Sequence, residues 1–273
     1  MKSIIRILKK RRSGGFTLVE MVVSVALLAI LLGGMMVIIS PIIRSYNDNA
    51  KDYTAENTAN CVEEYLSRTL RSAQSVSIFT NTNAALLSSN AEYSAEIKRM
   101  SDLVVSNNNK NNNNGSIGGP RTQLYTLRCM SLKFRDGKYA LYDEYVSTDL
   151  DGAIDTTKET KVFSDCLYKD LYLLCDFAKP KNGDYGNVTG AKEFRDDALD
   201  ITISVYRDSA YSGLVYYGTG ITEMRAIKGK ILAGNQTSNY KLSIYPETPL
   251  KFADTTDGSR DIFIYYISRG YGV

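Results

Sequence analysis

Among its 273 residues the sequence contains no histidine. That absence excludes a Ser-His-Asp triad, a histidine-containing zinc site and a histidine general base, which together carry much of hydrolytic chemistry. Cysteine is scarce as well: Cys61, Cys129, Cys166 and Cys175 are the only four, and none forms a C-x-x-C pair, so a zinc or thioredoxin-like reading has no support. In a compartment that permits disulfides, Cys166 and Cys175 are the nearest pair in sequence. Elsewhere all four read as buried thiols, a common situation for cysteine. A broad basic surface is also missing. Six of the 33 Lys/Arg fall within residues 1–15, which hold no acid, leaving 33 − 6 = 27 basic against 30 acidic residues beyond them, a net of −3. The remainder therefore lacks the electrostatic footprint of a nucleic-acid binder. Acid pairs such as Asp196-Asp197 are adjacent on the chain and read as solvated charge.

What is present is unevenly spread. The 44% apolar and 10% aromatic content suits a folded body, and the length allows one moderately large domain with an appendage. A large share of the apolar residues lies near one end, where Met21 to Ser40 is uncharged throughout. The run continues to Ile43, long enough for a transmembrane helix. A secretory signal peptide would have a shorter apolar core and a small-residue cleavage site, whereas this run ends in SYNDNA. Glu20 stands at its head. A carboxylate at the edge of hydrocarbon costs several kcal/mol unless paired, which makes it a functional residue by default.

The stretch GFTLVE, Gly15 to Glu20, follows a short basic leader and opens a long apolar helix. It resembles the class III signal of type IV prepilins, in which a glycine is followed by an aromatic or apolar residue and a glutamate is the fifth residue of the mature chain. The resemblance implies cleavage by the prepilin peptidase between Gly15 and Phe16, N-methylation of Phe16, and a mature chain of 273 − 15 = 258 residues. Gly15 suits that step because a residue without a side chain lets the peptidase approach the backbone closely. Lys2, Arg6, Lys9, Lys10, Arg11 and Arg12 would stay cytoplasmic, leaving the body extracytoplasmic. In filaments of this family Glu20 is expected to meet the Phe16 amine of a neighbouring subunit. Two charges that are costly alone become tolerable as a pair, so the pairing acts as a register device.

The resemblance further implies a non-enzymatic minor pilin or pseudopilin of a type IV pilus, type II secretion-like or competence-type filament. Its partners would be the peptidase, other pilin or pseudopilin subunits, and the inner or cytoplasmic membrane. Before assembly it would be a single-pass membrane protein; afterwards it would lie in a surface, periplasmic or wall-spanning filament. The alternative from a different class is a membrane-anchored extracytoplasmic binding module that never polymerises and uses its 20 tyrosines for contact. That alternative gives Glu20 no role.

Behind the leader (1–15), residues 16–43 are expected as the membrane or filament-core helix. Gly33, Gly34 and Pro41 are its candidate sites of bending or melting. Residues 44–79 become amphipathic. Tyr46, Ala50, Tyr53, Cys61, Val62, Tyr65, Leu66, Thr69 and Ala73 approximate one stripe, predicting a single helix from Phe16 to about Ser77. Within it, NCVEEYLSRTLRSAQSV resembles the corresponding helix of pseudopilins of the W or J kind. Residues 80–120 read as a variable region: a short helix over Ala91–Val105, then a mobile loop where seven asparagines fall within Asn107–Asn114.

From residue 121 to 273 strand patterns dominate. QLYTLRCMSLKF and KYALYDEYV flank Asp136-Gly137, a strong hairpin signal. ALDITISVYR puts Ile201, Ile203 and Val205 on one face, and KLSIY and DIFIYYISR supply later strands. DCLYKDLYLLCDF is open between strand and helix. Asp149, Asp151, Asp155 and Glu159 cluster in a way that invites calcium, but the EF-hand spacing is not met, so an ordinary turn is the primary reading and calcium the secondary one. The expected fold class is α+β, a long N-terminal helix packed on a mainly antiparallel β-sheet domain, which is also the pilin architecture.

Overall fold

The computed structural model describes residues 16–82, 84–113, 123–148, 154–168, 171–181, 194–232, 240–246 and 261–271. The basic leader, Gly15, Asn114, Asp149 and Asp151 lie outside these residues. The fold is α+β. It opens on one helix, α1 (Leu18–Arg71), 54 residues long and about 80 Å at 1.5 Å per residue. The chain divides into a unit ending at Lys51 and a body beginning at Asp52. Gly33, Gly34 and Pro41 all lie inside α1, which is assigned as continuous helix through them.

In the body, α1 buries Ala55, Thr58, Ala59, Val62, Leu66 and Leu70, a clean three-four spacing. Val62, Leu66 and Ala73 of the expected stripe are buried, but Tyr46, Tyr53 and Cys61 face solvent, so the buried face is rotated from the expected one. Small side chains at 55, 58 and 59 let the helix backbone approach the sheet, and a tyrosine in their place would hold it away. The helix also ends earlier than Ser77. Gln74 N–H donates to Ile267 O (3.0 Å) and Val76 N–H to Lys241 O (2.9 Å), so sheet partners take the backbone groups a longer helix would need.

The strands and further helices follow as β1 (Val76–Thr82), α2 (Ala84–Ser89), α3 (Ala91–Asn113), β2 (Gln123–Arg135), β3 (Lys138–Thr148), β4 (Ile154–Lys161), β5 (Tyr172–Ala178), β6 (Ala198–Tyr206), β7 (Leu214–Glu223), α4 (Arg225–Leu232), β8 (Leu242–Tyr245) and β9 (Asp261–Tyr271). They form two sheets rather than one: six strands ordered β4-β3-β2-β9-β1-β8, and three ordered β5-β6-β7. Every pairing is antiparallel except β1 with β8. The hairpin forms at Asp136-Gly137, whose φ values of 53° and 80° are both positive, as a type I′ turn demands. DCLYKDLYLLCDF resolves into a turn followed by β5.

Two apolar clusters cover the two faces of the larger sheet. On one face Val76, Ile78, Met130, Leu132, Ile264 and Tyr266 meet α1 and the three-stranded sheet. On the other, Phe79, Leu127, Cys129, Phe263 and Tyr265 meet Ile97 and Met100 of α3. Strand β9, close to the end of the chain, is buried on both faces from Ile262 to Ile267. It lies between β1 and β2, so the last strand closes the sheet.

Helix α3 continues eight residues past Val105, through the asparagine tract to Asn113, where a mobile loop was expected. One asparagine has a specific role. Asn108 Nδ2 donates to Tyr125 O (3.0 Å) while its Oδ1 accepts from Tyr125 N–H (2.8 Å), so its amide pairs with β2 as a neighbouring strand would. Inside the sheet–helix interface, Glu96 accepts from Ser77 Oγ (2.7 Å) and from Arg99 Nη2 (2.6 Å) and Nε (2.8 Å). Burial opposes ionisation of Glu96, but these donors and the nearby Lys241 charge hold its carboxyl below the ordinary range.

Candidate processing and assembly segment

Phe16 and Thr17 precede the helix, and Leu18 is its first residue. Thr17 therefore stands at the N-cap and Glu20 at the third helical position. Thr17 N–H and Thr17 Oγ1 both donate to Glu20 Oε2 at 2.9 Å, and Glu20 N–H donates back to Thr17 Oγ1 at 3.3 Å. This is a reciprocal capping box, which satisfies backbone donors that a helix start leaves open. The signal is legible in the sequence, since Thr-x-x-Glu ahead of an apolar run is the signature of this cap.

Beyond the cap, Phe16 is 77% exposed, and Leu18, Val22, Leu27, Leu31, Met36 and Ile42 are exposed as well. The helix is long and apolar enough to cross a membrane, and its most apolar stretch is fully exposed. Met21–Ile43 alone would span roughly 35 Å, sufficient for a hydrocarbon core of about 30 Å. Nothing approaches within 4 Å of the side-chain positions of Gly33 or Gly34. Phe16, Glu20, Gly33, Gly34 and Pro41 thus lie on or beside one exposed apolar helix.

The remaining expected sites are dispersed. Cys166 is exposed in a turn while Cys175 is buried in β5, and all four cysteines are free thiols. Burial pushes the Cys175 thiol well up. Asp155 falls on β4 opposite Ser147 of β3, and Glu159 is engaged by Lys133 (2.6 Å) and Arg135 (2.7 Å). Asp197 binds Arg195 Nε at 3.0 Å, and Asp196 binds Lys179 at 2.8 Å; these adjacent acids serve separate ion pairs.

The body holds α1 by specific polar contacts as well as by its apolar stripe. Ser67 Oγ and Thr222 Oγ1 of β7 are 2.6 Å apart, Thr58 Oγ1 donates to Leu167 O (3.0 Å), and Arg207 pairs with Asp52 (2.5 Å). Tyr65 OH donates to Asp143 Oδ2 (3.1 Å), and Asp143 also pairs with Arg128. Burial first, and the Asp143 charge second, push the Tyr65 phenol up to about 12.

Residues 10–36 match the prokaryotic N-terminal methylation motif. No curated protein matches the chain at a significant level. Among solved structures, the PilB minor pilin from Streptococcus sanguinis is similar, with a TM-score of 0.33 and 13% identity over 81% of this chain and 34% of that one. This chain spans about a third of that protein's length, and an overlap that loose carries no argument about fold or role. The methylation motif therefore spans the Thr17–Glu20 cap and the first half of the exposed, membrane-length apolar stretch of α1.

Proposed function

We propose that this chain is a non-enzymatic subunit, a minor pilin or pseudopilin, of a type IV pilus or type II secretion-like filament. The prepilin peptidase cuts it between Gly15 and Phe16 and the new terminus is methylated. The subunit waits in the membrane through α1 with its body extracytoplasmic, and then packs α1 against those of other subunits. The observation that carries this reading is positional: the methylation motif at 10–36 coincides with a capped apolar helix whose first residue is Leu18, the third residue beyond the proposed scissile bond.

The cap sharpens the role of Glu20. Both Thr17 donors converge on Oε2, leaving Oε1 for a further donor. Cleavage supplies one, the Phe16 ammonium of a neighbouring subunit. Thr17 thereby holds the carboxylate in one orientation while the subunit is alone, and a charge pair completes it on docking. An ion pair at the edge of hydrocarbon penalises any axial slip that leaves either charge unpaired, which fixes register.

The test is the mature N-terminus. Mass spectrometry of the protein purified from its native membrane is expected to show a chain beginning with N-methylated Phe16. A chain retaining Met1 or the basic leader would overturn the reading in favour of a simple anchor.

A further inference from the structure

We infer that the outer edge of β7 is a docking site for an extended segment of a partner protein, which adds to the three-stranded sheet as a further strand and carries a lysine or arginine facing α1. Only the body, from Asp52 onward, is involved, so the site is independent of the leader and the membrane segment.

Strand β7 ends its sheet and pairs only with β6 among the described residues. The direction of its free backbone groups follows from one bond. Asp197 lies opposite Met224 in the register of the two strands, and Met224 N–H donates to Asp197 O at 2.8 Å, which makes this a hydrogen-bonded pair. Such pairs alternate along an antiparallel ladder. Tyr216, Gly218, Gly220 and Thr222 therefore bond to β6, while Tyr217, Thr219, Ile221 and Glu223 aim their N–H and C=O groups away from it. Among the described residues nothing bonds to those outward groups. Edge strands are normally blunted by lysine, proline or a bulge. Leu214 to Thr222 carries no charge and no proline, and the one register shift lies at its start, so this edge is left open to pairing.

The flank of α1 fixes what the occupant must carry. Asn60 Oδ1 accepts from Tyr216 OH (3.4 Å), Ser67 Oγ and Thr222 Oγ1 share a hydrogen bond (2.6 Å), and between them Glu63 lies over Gly220. A side chain at 220 would begin 1.9 Å from Glu63 Oε1, so the glycine is what lets the carboxylate rest against the strand. No hydrogen bond or ion pair engages Glu63 among the described residues. A strand added along the open edge bonds at Tyr217, Thr219 and Ile221. Its residue opposite Gly220 then takes a non-hydrogen-bonded position about 4.5 Å away between Cα atoms, with its side chain on the α1 face. A lysine or arginine there meets the Glu63 carboxylate. On the other face the added strand lies beside Tyr217, 61% exposed, and half-buried Ile221, which suit β-branched side chains.

Charge decides against a second copy of this chain as the occupant. Antiparallel pairing of two β7 edges about Thr219 would set the two Gly220 positions diagonally across the joint, about 8 Å apart on one face. Two uncompensated Glu63 carboxylates would come with them. A partner strand with a cation opposite Gly220 removes that repulsion and replaces it with attraction. Main-chain bonds then supply the affinity common to strand addition, and Glu63 selects among the segments that could make them.

The probe is the acetylated, amidated heptapeptide Thr-Thr-Val-Arg-Val-Thr-Thr, whose symmetric sequence presents arginine on one face and both valines on the other in either strand direction. It is titrated into the isotope-labelled full chain in detergent, and amide hydrogen exchange is read residue by residue by NMR. In the free chain the amides of Gly218, Gly220 and Thr222 should exchange slowly and those of Tyr217, Thr219 and Ile221 quickly. Saturating peptide should slow Tyr217, Thr219 and Ile221 by about tenfold or more. Glutamine in place of the peptide's arginine should weaken binding by about threefold, glutamate should weaken it further, and Glu63→Gln should erase the difference between the arginine and glutamine peptides. Tyr217→Pro, which removes an outward N–H and leaves the β6 ladder intact, should abolish binding with unchanged near-UV circular dichroism, whereas Tyr217→Ala should keep the alternating protection. Four results would each overturn the proposal: slow exchange of Tyr217, Thr219 and Ile221 in the free chain, no saturable binding, equal affinity for the arginine and glutamate peptides, or a concentration-dependent dimer protected at the same amides, which would make the occupant a second copy.

Discussion

Leu66 tests where α1 meets the body. It is 1% exposed and sits in the larger core cluster among residues of both sheets, while Tyr53, which the sequence pattern places on the same stripe, is 67% exposed. Leu66→Ala removes a fully buried side chain whose transfer alone is worth about 2 kcal/mol, and the cavity left in a close-packed interface raises the cost to about 3 kcal/mol. That is roughly a hundredfold change in the folded-to-unfolded ratio, or a loss of about 6–12 °C in thermal midpoint for a body of this size. Tyr53→Ala removes a solvated ring and should change stability by less than about 0.5 kcal/mol. The assay is guanidinium unfolding of the full chain in detergent, followed by tyrosine near-UV circular dichroism. Near-UV signal reports packing of the body, whereas far-UV signal would be dominated by helix protected in the micelle. Equal destabilisation by Tyr53→Ala and Leu66→Ala would refute this placement, because the helix would then bury the face that carries Tyr53. Ala59→Leu offers an independent check: overpacking at that contact should cost about 1–3 kcal/mol, and a neutral result would show that the helix does not approach the sheet so closely.

Three further outcomes follow from the site and the core. Replacing Gly15 with a bulky residue should leave an uncleaved, membrane-retained precursor, visible as a larger band on a gel; normal processing would count against the peptidase step. Glu20→Ala should be cleaved normally yet fall at least tenfold in sheared filament fractions, and wild-type incorporation would remove the pairing argument. Glu96, held below the ordinary carboxylate range, contributes stability that is present above the unfolded glutamate value near 4.5 and is lost as pH falls through its lower folded value. Glu96→Gln should therefore flatten the acid limb of stability below about pH 4.5, and a limb as steep as wild type would place the titration elsewhere.

Legibility varied with how local the cause was. The Asp136-Gly137 hairpin was readable because two adjacent residues select the turn. The alternation of Ile201, Ile203 and Val205 was readable because their burial follows from strand period alone. Strand β1 was not readable. Ser77, Thr80 and Thr82 give it a polar surface, yet all three are buried, and Ser77 is accommodated because its hydroxyl donates a hydrogen bond to Glu96 of α3. Asn108 belongs to the same class: a polar tract reads as solvated until Tyr125 is known to stand beside it. The capping box was missed for a different reason, since both of its residues were in plain view.

The sequence by itself determined the N-terminal chemistry. A threonine cap, a glutamate three residues later and an uninterrupted apolar run act through spacing along one helix, and that spacing survives whatever the body does. Only the tertiary structure decided the face that α1 buries and the division of the strands into two sheets. Each depends on residues brought together from distant parts of the chain: small alanines reveal themselves as contacts only when a sheet is laid against them.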